Sequence, residues 1–153
     1  MTGLRNKGAL TREIDEFLED KACDKGLLLI MDIDKFKSIN DNYGHDIGDK
    51  VIIQFADYLL KRFENDLTGR FGGDEFILFI KNTYDEDAAA EIADEIIKNI
   101  SEVVELPDKD MKVSTSIGIA VYRGEEKRYS EIFKKADIAL YRAKADAEKR
   151  YCV

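Results

Sequence analysis

Two acidic clusters mark where this chain could do chemistry. Asp32-Ile33-Asp34 closes an apolar run, and Asp74-Glu75 follows Gly72-Gly73 between two short apolar segments. Strand ends and turn tips hold side chains on a rigid edge rather than in the core. Carboxylates gathered there repel one another unless a cation joins them. Hard divalent ions such as magnesium take oxygen ligands and are held by one or two carboxylates together with substrate phosphates. The pattern therefore suits metal-assisted phosphoryl or nucleotidyl transfer, in which metals bridge the attacking and leaving oxygens. Spacing alone equally fits a blander account. With 32 Asp and Glu in the chain, a D-x-D is common and acidic pairs are ordinary solvated loop residues. Gly72-Gly73 by itself marks only a turn.

The elements that must position these residues follow from hydrophobic periodicity. Leu10, Ile14, Phe17 and Leu18 recur at helical spacing and predict a helix over 7–21. Residues 27–33 do not alternate and read as a strand buried on both faces. A short helical stretch over 36–42 ends at Tyr43-Gly44-His45, and a long helix over 49–62 turns Val51, Ile52, Phe55 and Leu59 inward. Segments 67–71 and 75–80 read as a hairpin around the glycine pair, since glycine reaches the positive φ of tight turns. A helix over 85–104 carries a stripe of Ala88, Ile92, Ile96 and Ile100. Pro107 breaks the chain, and 113–121 is a further strand. A last helix over 130–149 turns Ile132, Ala136, Ala139, Leu140 and Ala143 inward. The fold class is α/β, an α+β sandwich with helices on both sides of one sheet. Strand order stays open.

Composition bounds the partners. The 153 residues suffice for one domain, 44% are hydrophobic and 37% charged, and there is no linker, repeat or low-complexity tract. A net charge of -8 argues against a basic face for nucleic acid. An anionic ligand would have to be held by a metal or a few local cations against the overall field. Cys23 and Cys152 fit neither a disulfide framework nor a zinc spacing, and read as reduced thiols of a cytoplasmic protein. The longest apolar run, 26–31, has six residues, so neither a membrane span nor a signal peptide is expected.

Arg70-Phe71-Gly72-Gly73-Asp74-Glu75-Phe76 resembles the signature of the GGDEF domain family, and the match extends well beyond it. Asp32-Ile33-Asp34-Lys35-Phe36-Lys37-Ser38-Ile39-Asn40-Asp41 is similar to the family's D-x-D-x-F-K-x-x-N-D block, continued by Gly44-His45 and Gly48-Asp49. Thr2-Gly3-Leu4-Arg5-Asn6-Lys7 resembles its L-T-G-L-x-N-R opening, with Lys for Arg. Ser116-Ile117-Gly118-Ile119-Ala120 resembles the S-x-G-x-A strand, and Ala136-Asp137-Ile138-Ala139-Leu140-Tyr141-Arg142-Ala143-Lys144 the A-D-x-A-L-Y-x-A-K helix. The motifs cover nearly the whole chain in order.

The resemblance implies a palm-like nucleotidyl cyclase fold with a central, mainly antiparallel five-stranded sheet. It implies a diguanylate cyclase that condenses two GTP into cyclic dimeric GMP and two pyrophosphates. Each domain holds one GTP, so activity requires a homodimer. It implies Asp32 and Asp74 as metal ligands assisted by the Ile33 carbonyl, for Mg2+ or Mn2+. Glu75 is a further carboxylate for metal binding or for activating the attacking hydroxyl. Gly72 and Gly73 let the backbone approach the nucleotide. Asn40 and Asp49 stand at guanine-reading positions, where a carboxylate accepts from both N–H donors on guanine's edge. Backbone amides at Lys35, Phe36 and Lys37 meet the phosphates, with Lys144 as a point charge.

Several residues keep a second account. Asp34 reads equally as a cap on the following turn. His45 reads as loop spacing, Phe36, Phe71 and Phe76 as core, and Lys37 as packing or pairing within the site.

The chain also departs from the family. Ala147, Glu148 and Lys149 stand where its last helix continues G-[RK]-N, and a glutamate at the cation position repels a triphosphate, with Lys149 or Arg150 as a substitute cation if the helix end shifts. The inhibitory R-x-x-D that binds product is Phe63-Glu64-Asn65-Asp66 here: Asp66 is kept, and the arginine lies one place away at Arg62. This site is therefore degenerate, and product inhibition through it is expected to be weak or absent. Sensor modules commonly precede the opening motif in this family, so a longer regulated protein is expected. Two other functions stay in view. One is a catalytically silent domain that binds GTP or a partner, favoured by Glu148. The other is a cyclase with a different product, disfavoured by Asp49.

Overall fold

The apolar run that ends in the D-x-D becomes β1 (Gly26–Ile33), buried along its whole length. Its side chains alternate between two cores, with Leu27, Leu29, Met31 and Ile33 on one face and Leu28 and Ile30 on the other. That is why the sequence shows no polar alternation there. The computed structural model describes residues 3–20, 24–82, 85–146 and 148–153. Thr2, Lys21, Cys23 and Ala147, on which parts of the sequence reading fall, lie outside the described residues.

β1 is the middle strand of a five-stranded sheet that also contains β2 (Leu67–Arg70), β3 (Glu75–Lys81), β4 (Thr115–Tyr122) and β5 (Tyr151–Cys152), in the order β2-β3-β1-β4-β5. Every pairing is antiparallel except β4 with β5. Helices α2 (Phe36–Tyr43), α3 (His45–Arg62) and α4 (Glu86–Val103) belong to the first face, and α1 (Lys7–Glu19) and α5 (Tyr129–Ala145) to the second. This is the expected α+β sandwich. Among the described residues no helix is long and apolar enough to cross a membrane.

Element ends depart from the reading for identifiable reasons. α3 begins at His45 rather than at 49, because Gly44, at φ 89°, turns the chain within one residue and lets Gly48 enter the helix. The buried stripe of α4 is Ala89, Ala93, Ile96 and Ile100, with Ala88 and Ile92 only half buried. α5 stops at Ala145 rather than at 149. There the Asp146 carboxylate accepts from the backbone N–H groups of Glu148 and Lys149, both at 3.1 Å. The turn so formed frees the chain to add β5, whose two residues carry no readable pattern. β4 begins two residues later than expected, at Thr115.

Gly118 is where the sheet and α5 come closest. A Cβ there would stand 2.2 Å from the Leu140 amide nitrogen and 2.3 Å from the Ala136 carbonyl oxygen. Both are backbone atoms of a helix packed on the strand, so neither can yield as a side chain would. Gly118→Ala should therefore destabilise the fold by about 3 kcal/mol or more, read as a lower denaturant midpoint. A midpoint within error of wild type would show that α5 is not seated on β4 this closely.

Candidate active site

The sheet register assembles the carboxylates. At the end of β1, Asp32 lies opposite Glu75 of β3 on one side and Ser116 of β4 on the other. The Ile33 N–H donates to the Asp74 carbonyl at 3.2 Å, which ties the hairpin tip to the same strand end. Asp32 is only 8% exposed. Its backbone carbonyl accepts from the Thr115 hydroxyl at 2.8 Å, and its Oδ2 accepts from the Lys144 ammonium. Its Oδ1 is buried and has no hydrogen-bond partner. A buried carboxylate oxygen without a donor is costly, and a cation beside it would remove that cost.

The Asp74 carboxyl lies against Asp32. Burial, then the neighbouring Asp32, pushes its pKa up to about 6. Lys144 moves the other way in charge terms: its hydrogen bond to Asp32, helped by Asp74 and Glu75 nearby, raises its pKa and keeps it an ammonium. Among the described residues no trio of acidic, imidazole or thiol groups is gathered tightly enough to hold an ion unaided. Two close carboxylates, one with an orphaned oxygen, fit an ion of the magnesium type. Such an ion takes its remaining ligands from water and phosphate.

The hairpin glycines play a different part from the one expected of a tight turn. Neither Gly72 nor Gly73 has a positive φ. A Cβ on Gly73 would meet nothing within 4 Å, and one on Gly72 only Glu75, at 3.7 Å. The fold thus demands glycine at neither position. The tip is held instead by Arg70, whose guanidinium donates to the carbonyls of Gly72 at 3.1 Å and Gly73 at 2.8 Å. Phe76 is core, stacked on Phe55 with centroids 4.4 Å apart, and Phe71 is half buried beside Tyr129 and Phe133.

Asp34 does not cap the turn that follows it. No side chain caps the first turn of α2. The Asp34 carboxylate accepts from the Ser114 hydroxyl at 2.8 Å, the Ser116 hydroxyl at 2.6 Å and the Arg150 guanidinium at 2.7 Å. Three donors hold it on both oxygens, so it anchors the chain after α5 to the strand end. Arg150 reaches it at φ 61°, with its own N–H bonded to the Asp146 carbonyl at 3.2 Å. Ser114 and Ser116 were not foreseen as site residues, and Arg150, read as a stand-in phosphate cation, is bound to Asp34 instead. The period-two spacing of the two serines is the one signal that could have placed both on a single face.

The remaining expected residues lie along the α2–α3 hairpin. Phe36 is half buried, Lys37 is exposed on the first turn of α2, and Lys35 enters that turn at φ 54°. Asn40 lies over Gly48: a Cβ on Gly48 would stand 1.8 Å from the Asn40 Oδ1. The helix lacks a side chain where Asn40 needs room, and exposed Asp49 follows directly. His45 is exposed at the start of α3. Glu148 is exposed in the turn after α5. Elsewhere, Asp66 accepts from the Lys81 N–H at 3.1 Å, while Arg62 grips Glu95 at 2.8 and 3.2 Å.

Asp74 makes stability depend on pH. Its folded pKa of about 6 lies above its ordinary 3.8. The folded chain therefore holds a proton that the unfolded chain releases at lower pH, and stability falls as pH rises between those values. Asp74→Asn should remove that slope and make the metal-free protein more stable at neutral pH by about 1 kcal/mol, solvent screening of a half-exposed group keeping the gain small. Denaturant melts in chelator at acid and neutral pH test this. Parallel pH profiles for the two proteins would refute it.

Comparison with known proteins agrees with this architecture. The family model described as "Diguanylate cyclase, GGDEF domain" matches residues 1–150. The bifunctional diguanylate cyclase/cyclic di-GMP phosphodiesterase MucR of Pseudomonas aeruginosa is 34% identical over 155 residues, covering 99% of this chain and 22% of that protein. The response regulator PleD of Caulobacter vibrioides is 36% identical over 151 residues, covering 95% of this chain and 33% of that protein. The chain thus spans a third or less of these relatives. Among solved structures, the GGDEF domain of YfiN from Pseudomonas aeruginosa superposes with a TM-score of 0.85 at 32% identity, covering 96% of this chain and 94% of that one. The GGDEF domain of DgcB from Caulobacter crescentus, in complex with c-di-GMP, gives 0.85 at 26%, covering 99% and 89%. With the family match spanning β1 to β4 and both acidic clusters, the chain belongs to the GGDEF diguanylate cyclase family.

Proposed function

We propose that this chain is a diguanylate cyclase domain that condenses two GTP into cyclic dimeric GMP and two pyrophosphates. The observation that carries the reading is the buried Asp32 with one oxygen unpartnered, facing Asp74 and Lys144 at the sheet edge. Asp32, Asp74, Glu75 and the Ile33 carbonyl would hold Mg2+ or Mn2+. Such an ion, when bound, neutralises charge developing on the transferred phosphoryl group. Lys144 and Lys37 pair with the triphosphate. The uncapped first turn of α2 offers it backbone N–H groups, and Phe36 fixes the base of that turn. Gly72 and Gly73, which the fold itself does not require, leave the hairpin bare so that the nucleotide can lie close. Asn40, given room by Gly48, and Asp49 read guanine. Glu75 is exposed at the rim, placed to act on the attacking hydroxyl.

One such site serves one GTP, and the product needs two. Two copies of the domain must therefore meet face to face, each supplying one hydroxyl and one α-phosphate. A GTP substrate, and two cysteines that match no disulfide framework, support a cytoplasmic place of work.

A silent, GTP-binding domain is the second reading, favoured by exposed Glu148 where the family carries a cation. Concentrated protein with GTP and Mg2+, resolved by chromatography and mass, separates the two. Cyclic dimeric GMP is the expected product, and none at any concentration would establish the silent reading. Glu75→Gln should lower turnover by at least about a hundredfold with folding and GTP binding retained. Full activity in that variant would remove Glu75 from the chemistry.

Product inhibition through the Asp66 position should be weak. Asp66 is committed to the Lys81 N–H and Arg62 to Glu95, so neither waits for a ligand. Asp66→Ala should leave the dependence of rate on added product unchanged. A micromolar inhibition constant abolished by this substitution would refute the assignment.

A further inference from the structure

Asp32 and Asp34 each hold one internal cation, and the two pairs differ in kind. Asp34 is held on both oxygens by two hydroxyls and the Arg150 guanidinium, within a turn that is itself hydrogen-bonded to Ile117. Asp32 has Lys144 as the cation on its carboxylate, with the Asp74 carboxyl against it and no N–H or hydroxyl donor on Oδ1. The Lys144 side chain is 48% exposed against 11% for Asp32, so a half-exposed lysine reaches a buried carboxylate. A lysine on a flexible four-carbon stem can exchange partners where a forked arginine in a closed turn is held.

We propose that Lys144 is the exchangeable counter-ion of the Asp32 carboxylate, so that divalent metal and nucleoside triphosphate bind cooperatively. This rests on the reading of Asp32 as a metal ligand. A divalent ion arriving alone meets an ammonium already bound to Asp32, and the two cations repel at contact distance. A triphosphate arriving alone must draw Lys144 away from a buried carboxylate that would be left bare. Arriving together, each removes the other's obstacle: phosphate takes the ammonium and the metal takes the carboxylate. Coupling of this kind is reciprocal, so removing either partner of the ion pair must help the opposite ligand.

The test measures binding without turnover. Mn2+ alone is titrated onto wild type, Lys144→Met, Lys144→Arg and Asp32→Asn, with the free ion followed by its paramagnetic resonance signal. Lys144→Met should bind Mn2+ about tenfold tighter than wild type, and Lys144→Arg, which keeps the cation, should not. In chelator, GTP is titrated onto wild type, Asp32→Asn and Glu75→Gln. Asp32→Asn should bind metal-free GTP about tenfold tighter than wild type and clearly tighter than Glu75→Gln, which removes the same charge from the same rim without releasing Lys144. Lys144→Met binding Mn2+ no tighter than wild type, or Asp32→Asn and Glu75→Gln gaining equally, would overturn the proposal while leaving the metal site standing. Unchanged Mn2+ affinity in Asp32→Asn would remove the metal reading itself, and the proposal with it. The chelator series carries the test if the Met variant fails to fold.

Discussion

A carboxylate at the end of a strand buried on both faces is the constraint on which the rest of the site depends. Asp32 occupies a position whose strand neighbours are all core, and it is nearly as buried as they are. Water cannot solvate it there, so the protein must supply charge or donors. The register of β3 brings Glu75 opposite and Asp74 alongside, which adds negative charge and sharpens the need. α5 brings Lys144 to meet it. Seen this way, the placement of α5 on β4 is part of the electrostatics of the site. If the helix rode farther from the strand, the ammonium would not reach. Gly118 removes the side chain that would keep them apart.

The D-x-D motif separates two jobs that spacing alone cannot distinguish. Neighbouring carboxylates two residues apart leave the strand end in different surroundings. Asp32 stays beside the hairpin, short of donors. Asp34 turns to Ser114, to Ser116 of β4 and to Arg150 and is satisfied. One carboxylate remains available for an ion, while the other locks the chain after α5 against the strand end. That lock also places Glu148 in the solvent-facing turn, so the residue that departs from the family pattern points its charge where water can screen it.

Much of the fold was legible because hydrophobic periods report directly on burial. The unbroken run of β1 announced a strand covered on both sides, and the hairpin and helices lay close to where their patterns put them. The acidic cluster was legible as chemistry only through the family motifs, since its spacing matches many solvated loops. What escaped depended on contacts distant in sequence or on backbone geometry. The donors to Asp34 lie 80 to 116 residues away. The end of α5 is set by a single aspartate side chain, and β5 by the turn that follows it. Gly72-Gly73 looked like turn glycines, yet their φ angles are ordinary; what they leave is open space. Gly48 inside α3 looked like a loop residue until Asn40 was seen to lie across it.

The overall charge of -8 makes the choice of cations consequential. An acidic protein that handles a polyanion cannot rely on its general field, which repels the ligand. It needs positive charge concentrated at the site, held there without ligand and released on demand. A fixed arginine satisfies the first requirement and not the second, because its guanidinium is bound to a carboxylate and its backbone is held in a hydrogen-bonded turn. A half-exposed lysine against a buried aspartate satisfies both. It neutralises Asp32 while the site waits, and its half-exposed side chain gives it a route to phosphate. On the proposed reading, the sheet keeps one cation bound for structure and one for exchange. That division follows from the different hydrogen bonding of two carboxylates two residues apart.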